Sequence, residues 1–428
     1  MGQHAAGLHK ALVDHLLAIS VLTQPAVEAA FRAVPRHVFL PGVPLEDAYR
    51  DDAIPTKMAD GRAISSSSQP AIMAIMLEQL GVQPGQRVLE IGAGTGYNAA
   101  LLSQLVGPSG LVVTVDIDDD IVEAARAHLA EAGVENVRVV LGDGGEGYAP
   151  DQPYDRIILT VGAWDITPAW HEQLAAGGRL VLPLKIANGA QNSIVFDKIA
   201  PDRQPILISQ AVQECGFMPL RGAFAGPEVF TPLGTQSGLT LISPGEVPAA
   251  SDRIYEWLMA GGERGGTGLL TTEAAVYGSL ALWLDLHSGQ VASLMIEDAS
   301  APPGGWPCLF QWGTAPATCF TFLKVTADGM AALDGRDHST IEPSTAASDL
   351  GPFELKVIEY GPRGHEVAQS LLDLLADWNG AGRPPSARLR VRVFSRDHPY
   401  AAALGETIVT KRWTKLVVDW PSKAAAQS

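Results

Sequence analysis

Val88-Leu-Glu-Ile-Gly-Ala-Gly-Thr-Gly-Tyr97 is the stretch on which the fold turns. Val88 to Ile91 reads as a short buried strand, and the Gly92-x-Gly94-x-Gly96 run bends the chain sharply into a following helix. Without Cβ atoms, glycines let a ligand approach the main chain, and the start of the helix offers unpaired N–H groups. Taken alone the run also fits a dinucleotide-binding turn, so its neighbours must decide the ligand.

Downstream, strand Leu111–Val115 ends in Asp116, roughly twenty residues past the last glycine, where an acid can accept hydrogen bonds from both hydroxyls of a ribose. A third strand, Val137–Leu141, ends in Gly142-Asp143-Gly144, and a carboxylate there can accept from the exocyclic amine of adenine. A fourth, Tyr154–Thr160, leads to Leu174-Ala-Ala-Gly-Gly-Arg-Leu-Val-Leu-Pro183. Glycine turn, ribose acid, adenine acid and late Gly-Gly turn together resemble the class I S-adenosylmethionine-dependent methyltransferases. That resemblance implies a doubly wound, Rossmann-like α/β sheet. It also implies a site for S-adenosyl-L-methionine (product S-adenosyl-L-homocysteine) made by Glu90, Gly92, Ala93, Gly94, Thr95, Gly96, Asp116, Ile117, Gly142, Asp143, Gly144 and Thr160. A chain that keeps this layout but has lost catalysis, a cofactor-binding scaffold, is the rival from another class.

With 428 residues the chain can hold two or three domains. Thirty basic residues against 47 acidic ones give a formal net charge of −17, which repels polyphosphate and argues against nucleic acid as a partner. Also missing is the Asn/Asp-Pro-Pro-aromatic motif with which base-modifying relatives hold an amine. Cys215, Cys308 and Cys319 are odd in number and lie in apolar contexts, which reads as reduced thiols in a cytoplasmic protein. No signal-peptide pattern and no apolar run of membrane-spanning length is found. His365-Glu366 lacks a second histidine four residues on, and no cysteine pair has metal spacing, so no metal site is expected.

The expected organisation has three parts: an N-terminal helical and acceptor-loop region at 1–79, a cofactor-binding domain at 80–229 and a C-terminal α+β domain at 230–428. Helices are predicted over Ala6–Ile19, over Gln24–Ala33 with Thr23 as cap, and over Ile121–Glu131. Strand and helix alternate from Leu80 to Leu184, which calls for a parallel sheet. Ser193–Lys198 and Cys215–Arg221 read as added, antiparallel strands. In the last part, Thr272–Leu286 and His365–Trp378 have helical spacing, and Phe353–Tyr360, Leu389–Ser395 and Thr414–Trp420 alternate like strands. Ser300–Trp306 and Asp337–Pro352 read as loops. Trp378, Trp413 and Trp420 read as core of that domain, and Arg388, Arg390 and Arg392 as a solvated strand face or a seat for an acidic leader peptide.

Phe31-Arg-Ala-Val-Pro-Arg-His-Val-Phe-Leu-Pro41, Ala48-Tyr-Arg-Asp-Asp-Ala-Ile-Pro55 and Gly61-Arg-Ala-Ile-Ser-Ser-Ser-Ser-Gln-Pro70 closely resemble the N-terminal signature of the protein-L-isoaspartate O-methyltransferases. So do Gly94–Tyr97, Gly142–Tyr148 and Phe217-Met-Pro-Leu220, and the resemblance covers about residues 10–225. It implies methylation of a side-chain or isoaspartyl carboxylate, with the serine of an Ile-Ser-Gln-Pro motif near the sulfonium. Here four serines separate Ile64 from Gln69, so the family's serine corresponds to Ser65 counted from the isoleucine or to Ser68 counted from Gln-Pro. Ser68 is favoured, because Pro70 fixes the local register. Asp52, Thr56, Ser66, Ser67 and Trp164 are the further acceptor-facing candidates, each with an ordinary alternative in turn chemistry or loop packing. Asp165 shares the position after the fourth strand.

The chemistry asks little of the protein. A carboxylate attacks a sulfonium methyl in line, so positioning and exclusion of water carry the catalysis. Serine hydroxyls suit the task because they hold a carboxylate by neutral hydrogen bonds. The product ester is a good electrophile, and the neighbouring backbone nitrogen can close a five-membered succinimide that hydrolyses to aspartate or isoaspartate. The partner expected is therefore a peptide or protein bearing Asp or isoAsp. Because a second large region follows, the layout looks like the extended homologues that methylate an aspartate in ribosomally made peptides such as lanthipeptides, lasso peptides and graspetides. Repair of isoaspartyl proteins is the alternative. The oligomeric state is left open.

Overall fold

The computed structural model describes residues 2–59, 62–187, 191–199, 204–234, 238–288, 291–297, 305–312, 318–335 and 351–421. Its internal contacts divide the chain into two units. The first comprises 1–184, 191–226 and 389–428, the second 185–190 and 227–388.

The first unit opens with helices α1 (Gln3–Ala18) and α2 (Pro25–Ala33). Pro25 starts α2 with Gln24 as its cap, and the hydroxyl of Thr23, expected there, instead donates to Glu78 at 2.6 Å. A hairpin follows, β1 (Ile54–Ala59) against β2 (Arg62–Ser67), then α3 (Pro70–Leu80). Next come β3 (Arg87–Ile91), α4 (Tyr97–Val106), β4 (Leu111–Asp116), α5 (Asp119–Glu131), β5 (Val137–Leu141), β6 (Tyr154–Leu159) and β7 (Leu174–Lys185). Strands β7-β6-β3-β4-β5 lie side by side and pair in parallel, as the alternation predicts.

The sheet then turns antiparallel through β8 (Gln191–Lys198) and β9 (Leu207–Cys215). The strand expected over Cys215–Arg221 thus ends where it was placed to begin. Beyond Cys215 only Pro219 bridges the sheet, to Gly162, and Pro219 has no N–H for a ladder. Leu12, Leu16, Phe31, Met76, Leu77 and Leu101 from the helices pack with Val88, Val112, Val181 and Val195 in one apolar core. Each such side chain contributes about 1.5–3 kcal/mol on burial.

The second unit interrupts the first. Its strands are β10 (Val229–Leu233), β11 (Leu239–Ser243), β12 (Glu263–Thr271), β13 (Val291–Ile296), β14 (Phe310–Trp312), β15 (Thr318–Val325), β16 (Met330–Asp334) and β17 (Phe353–Tyr360). They form one antiparallel sheet in the order β10-β11-β13-β15-β16-β17-β12, with β14 on β15. Helix Gly364–Gly380 follows, with Trp378 fully buried. Its core includes Leu241, Ile254, Leu258, Leu294, Leu323 and Ile358. The helical pattern of Thr272–Leu286 is broken by a π-helical turn at Val276–Leu280, where the Ser279 hydroxyl accepts from the Trp378 indole and donates to the Pro384 carbonyl. The segments expected as loops at 300–306 and 337–352 lie mostly outside the described residues.

The expected single domain over 230–428 does not match this division. The chain returns to the first unit with β18 (Arg390–Ser395), β19 (Thr407–Thr410) and β20 (Thr414–Asp419), which extend the first sheet beyond β9. Trp413 accordingly lies in the first unit, its ring 5.3 Å from that of Phe224. Arg390 pairs with Asp419 of β20, and Arg392 with Glu406 just before β19. Alternation along a strand reveals its existence but not which sheet its open edge will join.

Candidate active site

The carboxyl ends of β3, β4 and β5 supply the cofactor candidates. Gly92, Gly94 and Gly96 all have positive φ, a backbone that side chains resist. At Gly92 (φ +101°) a Cβ would stand 2.6 Å from the Thr160 hydroxyl oxygen, which itself donates to the Gly92 carbonyl at 2.7 Å. Gly96 caps α4 in the left-handed region. Ala93 is buried, and Thr95 accepts the Tyr97 N–H at 3.4 Å. The turn is packed closely on its own neighbours, with Thr160 and Val161 against Gly92 and Ala125 and Leu129 against Gly96, so that side chains are excluded there.

Asp116 ends β4, and one of its oxygens accepts the Gly94 N–H at 3.1 Å, so the acid expected at the ribose is tied to the glycine turn. Burial raises the pKa of Asp116. Asp143 accepts the N–H of Gly145 at 3.0 Å and that of Ala223 at 2.8 Å. Ile117 and Asp143 both abut Gly222, where a Cβ would meet them at 2.7 and 2.4 Å. Gly142 donates to the Asp116 carbonyl, and Gly144 lies so close to Ile91 that a Cβ would be 2.3 Å from it. Glu90 is different: it is fully buried under the turn, where its carboxylate accepts from Asn98 at 2.7 Å and burial pushes its pKa up to about 7. It braces the base of α4.

Ser65, Ser66 and Ser67 lie on β2, and Ser68 directly follows it. Ser65 and Ser67 are buried on one face, while Ser66 and Ser68 are partly exposed. A Cβ on Gly94 would lie 3.6 Å from the Ser66 carbonyl oxygen, so the serine strand passes directly over the cofactor turn. Thr56, across the hairpin, donates to the Ser65 hydroxyl at 3.2 Å. The structure therefore brings Ser66 beside Gly94 and Thr56 onto Ser65, while Ser67 and Ser68 are held by Arg36. Asp52 points away into an ion pair with Arg50 at 2.8 Å. Asp51 anchors the segment instead, accepting from Ala71 N–H at 2.8 Å and from Gln69 at 3.2 Å. Trp164 packs under the Lys411 ammonium, 4.4 Å from the ring centre. Asp165 accepts from the backbone N–H groups of Ile166 and Trp413 and from the Thr414 hydroxyl, tying down the turn before β20.

Arg36, within the Phe31–Pro41 stretch, carries no local signal of its role. Its guanidinium is wholly buried and donates to the carbonyls of Ala48, Arg50, Asp52 and Ser68 at 2.8–3.1 Å, and to Ser67 at 3.4–3.5 Å. Burial lowers its pKa. Lys57, Asp118 and Arg221 also join across the site, with no spacing in the sequence to announce it. Among the described residues no group of three His, Cys, Asp or Glu is placed to hold a metal, and no helix is long and apolar enough to cross a membrane.

Comparison with known proteins follows the same outline. A family model described as protein-L-isoaspartate(D-aspartate) O-methyltransferase matches residues 7–224. The chain is 39% identical over 198 residues to a protein-L-isoaspartate O-methyltransferase of Thermotoga maritima, covering 46% of this chain and 61% of that protein. It is 41% identical over 174 residues to the one from Methanopyrus kandleri, covering 40% and 75%. A solved beta-aspartate methyltransferase from Plasmodium falciparum in complex with S-adenosyl-L-homocysteine aligns over 50% of this chain and 98% of its own, at 17% identity and a TM-score of 0.42.

Proposed function

The chain belongs to the protein-L-isoaspartate(D-aspartate) O-methyltransferase family, and within it we propose an S-adenosyl-L-methionine-dependent carboxyl O-methyltransferase acting on an aspartyl side chain of a ribosomally synthesised peptide. The ester then closes to a succinimide, which hydrolyses to aspartate or isoaspartate.

The observation that carries this reading is the passage of the serine strand over Gly94. Bound S-adenosyl-L-methionine supplies a sulfonium methyl that a carboxylate oxygen can take without a metal or a strong base. Gly92, Gly94 and Gly96 would hold its main chain-facing side, Asp116 the ribose, and Asp143 with Ile117 the adenine. Ser68, with Ser66 beside it, would hold the acceptor carboxylate through neutral hydrogen bonds, as a cation there would repel the sulfonium and pair with the nucleophile. The buried Ser65 and Ser67 would set the strand's position. Ordinary binding would also exclude water from the anion.

Two features favour a dedicated peptide over damaged proteins at large. Four serines stand where the family has one, three of them on β2. A separately cored unit at 227–388 is inserted outside the region the family model covers. Repair of isoaspartyl proteins is the second reading, favoured by the names of the relatives and by the Thermotoga protein, which itself extends beyond the match, 61% of its length being covered.

Competition between a short isoaspartyl peptide and a constrained aspartyl peptide separates the two. Preference for the aspartyl peptide, with loss of methanol after methylation, is the result expected. Preference for the isoaspartyl peptide would establish repair.

A further inference from the structure

Asp118 is the meeting point of two segments that flank the site from opposite ends of the sequence. Arg221 grips its carboxylate as a fork, with contacts of 2.7 and 3.2 Å. Lys57 reaches one of the same oxygens at 3.0 Å and also touches Asp120 at 2.6 Å. Asp118 is largely buried, with 18% of its side chain exposed, whereas Asp120 is 67% exposed.

Each cation belongs to a segment with its own task. Lys57 lies on β1 directly opposite Ser65 of β2, so whatever holds Lys57 holds the serine hairpin. Arg221 precedes Gly222 and Ala223, the turn that abuts Ile117 and donates to Asp143. Asp118 itself stands two residues past the ribose acid, and its N–H donates to Asp116 at 3.4 Å. Ribose acid, adenine-side turn and acceptor hairpin thus converge on one carboxylate. Together with Asp120 it offsets the charges of Lys57 and Arg221, which would otherwise oppose a sulfonium.

We propose that Asp118 is a positioning residue that latches the acceptor hairpin and the 221–224 turn together over the nucleoside, so that cofactor binding orders the acceptor side. An isolated exposed ion pair would be worth little. A part-buried bidentate Arg–carboxylate contact shared with a second cation holds its geometry better. The inference rests on the cofactor and acceptor sites assigned above.

The test uses the full chain, with S-adenosylhomocysteine as the probe and no acceptor. Hydrogen exchange is followed in 54–67 and in 221–224, and affinity is measured by calorimetry. In the unaltered protein the probe should slow exchange in both segments. K57Q should abolish the slowing in the hairpin alone, and K57R should restore it. R221Q should abolish it in the turn and raise Kd about tenfold. D118N should abolish both. Slowing that persists in either segment of D118N, or is lost from both in K57Q, overturns the latch. Methyl transfer is assayed separately: its failure with the exchange pattern intact counts against the assigned reaction and leaves the latch standing.

Discussion

The Arg36 guanidinium donates to the Ser68 carbonyl at 3.0 Å, and through the same nitrogen to the Asp52 carbonyl, also at 3.0 Å. Thus the end of the serine strand and the loop before the hairpin share one buried clamp. No carboxylate takes part, and the five carbonyl contacts do the work an ion pair would do elsewhere. Substituting Arg36→Ala leaves several buried carbonyls without donors, at about 1–3 kcal/mol each before relaxation. We expect Arg36→Ala to lower Tm sharply and Arg36→Lys, which cannot span both segments, to recover only part of it in thermal unfolding.

Ser68→Ala should lower kcat for methyl transfer by one to two orders of magnitude, roughly the loss of one oriented contact to the reacting group. Ser65→Ala should act chiefly through hairpin stability, since Ser65 is buried and its hydroxyl is already taken by Thr56. Steady-state kinetics with unfolding curves on both variants checks this. The reverse pattern would place the family's serine at Ser65.

Gly92→Ala should nearly abolish S-adenosylhomocysteine binding. The new methyl would stand 2.6 Å from the Thr160 oxygen at a φ of +101°, with a strain of about 1–3 kcal/mol. Calorimetry on the folded variant should show at least a tenfold weaker Kd. Thr160→Ser, which keeps the hydroxyl, should leave binding close to normal.

Glu90 makes the fold sensitive to pH. Its pKa rises from 4.5 to about 7 on burial, so the folded chain keeps a proton that the unfolded chain gives up earlier. Its contribution is intact below the unfolded value, declines as pH rises from 4.5 toward 7, and levels off above that. Glu90→Gln should therefore stabilise the protein by about 3 kcal/mol near pH 8 and leave stability unchanged near pH 4. Denaturant titrations at both values test it.

The parallel core was legible because its signals are local. Val137–Leu141 and Phe353–Tyr360 occur with the boundaries that alternation gives them. Gly92, Gly94 and Gly96 carry the positive φ that the turn requires. What escaped depends on distant partners. Nothing in Arg390–Ser395 says that it will pair with Leu207 and Ile208 in the first sheet. Nor does the sequence near Trp413 reveal that Asp165 will accept its N–H. Likewise Asp118 reads as one acid in a run at 116–120, and only folding selects it to receive Lys57 and Arg221.

Transfer of a labelled methyl group tests the central claim most directly. The full chain is incubated with methyl-labelled S-adenosyl-L-methionine and peptides bearing Asp or isoAsp, and the label is then released in mild base. Label on a carboxyl oxygen, given up as methanol and absent from peptides whose acidic side chains are amidated, is the predicted result. Base-stable label, label on nitrogen, or equal labelling of the amidated peptides would contradict it.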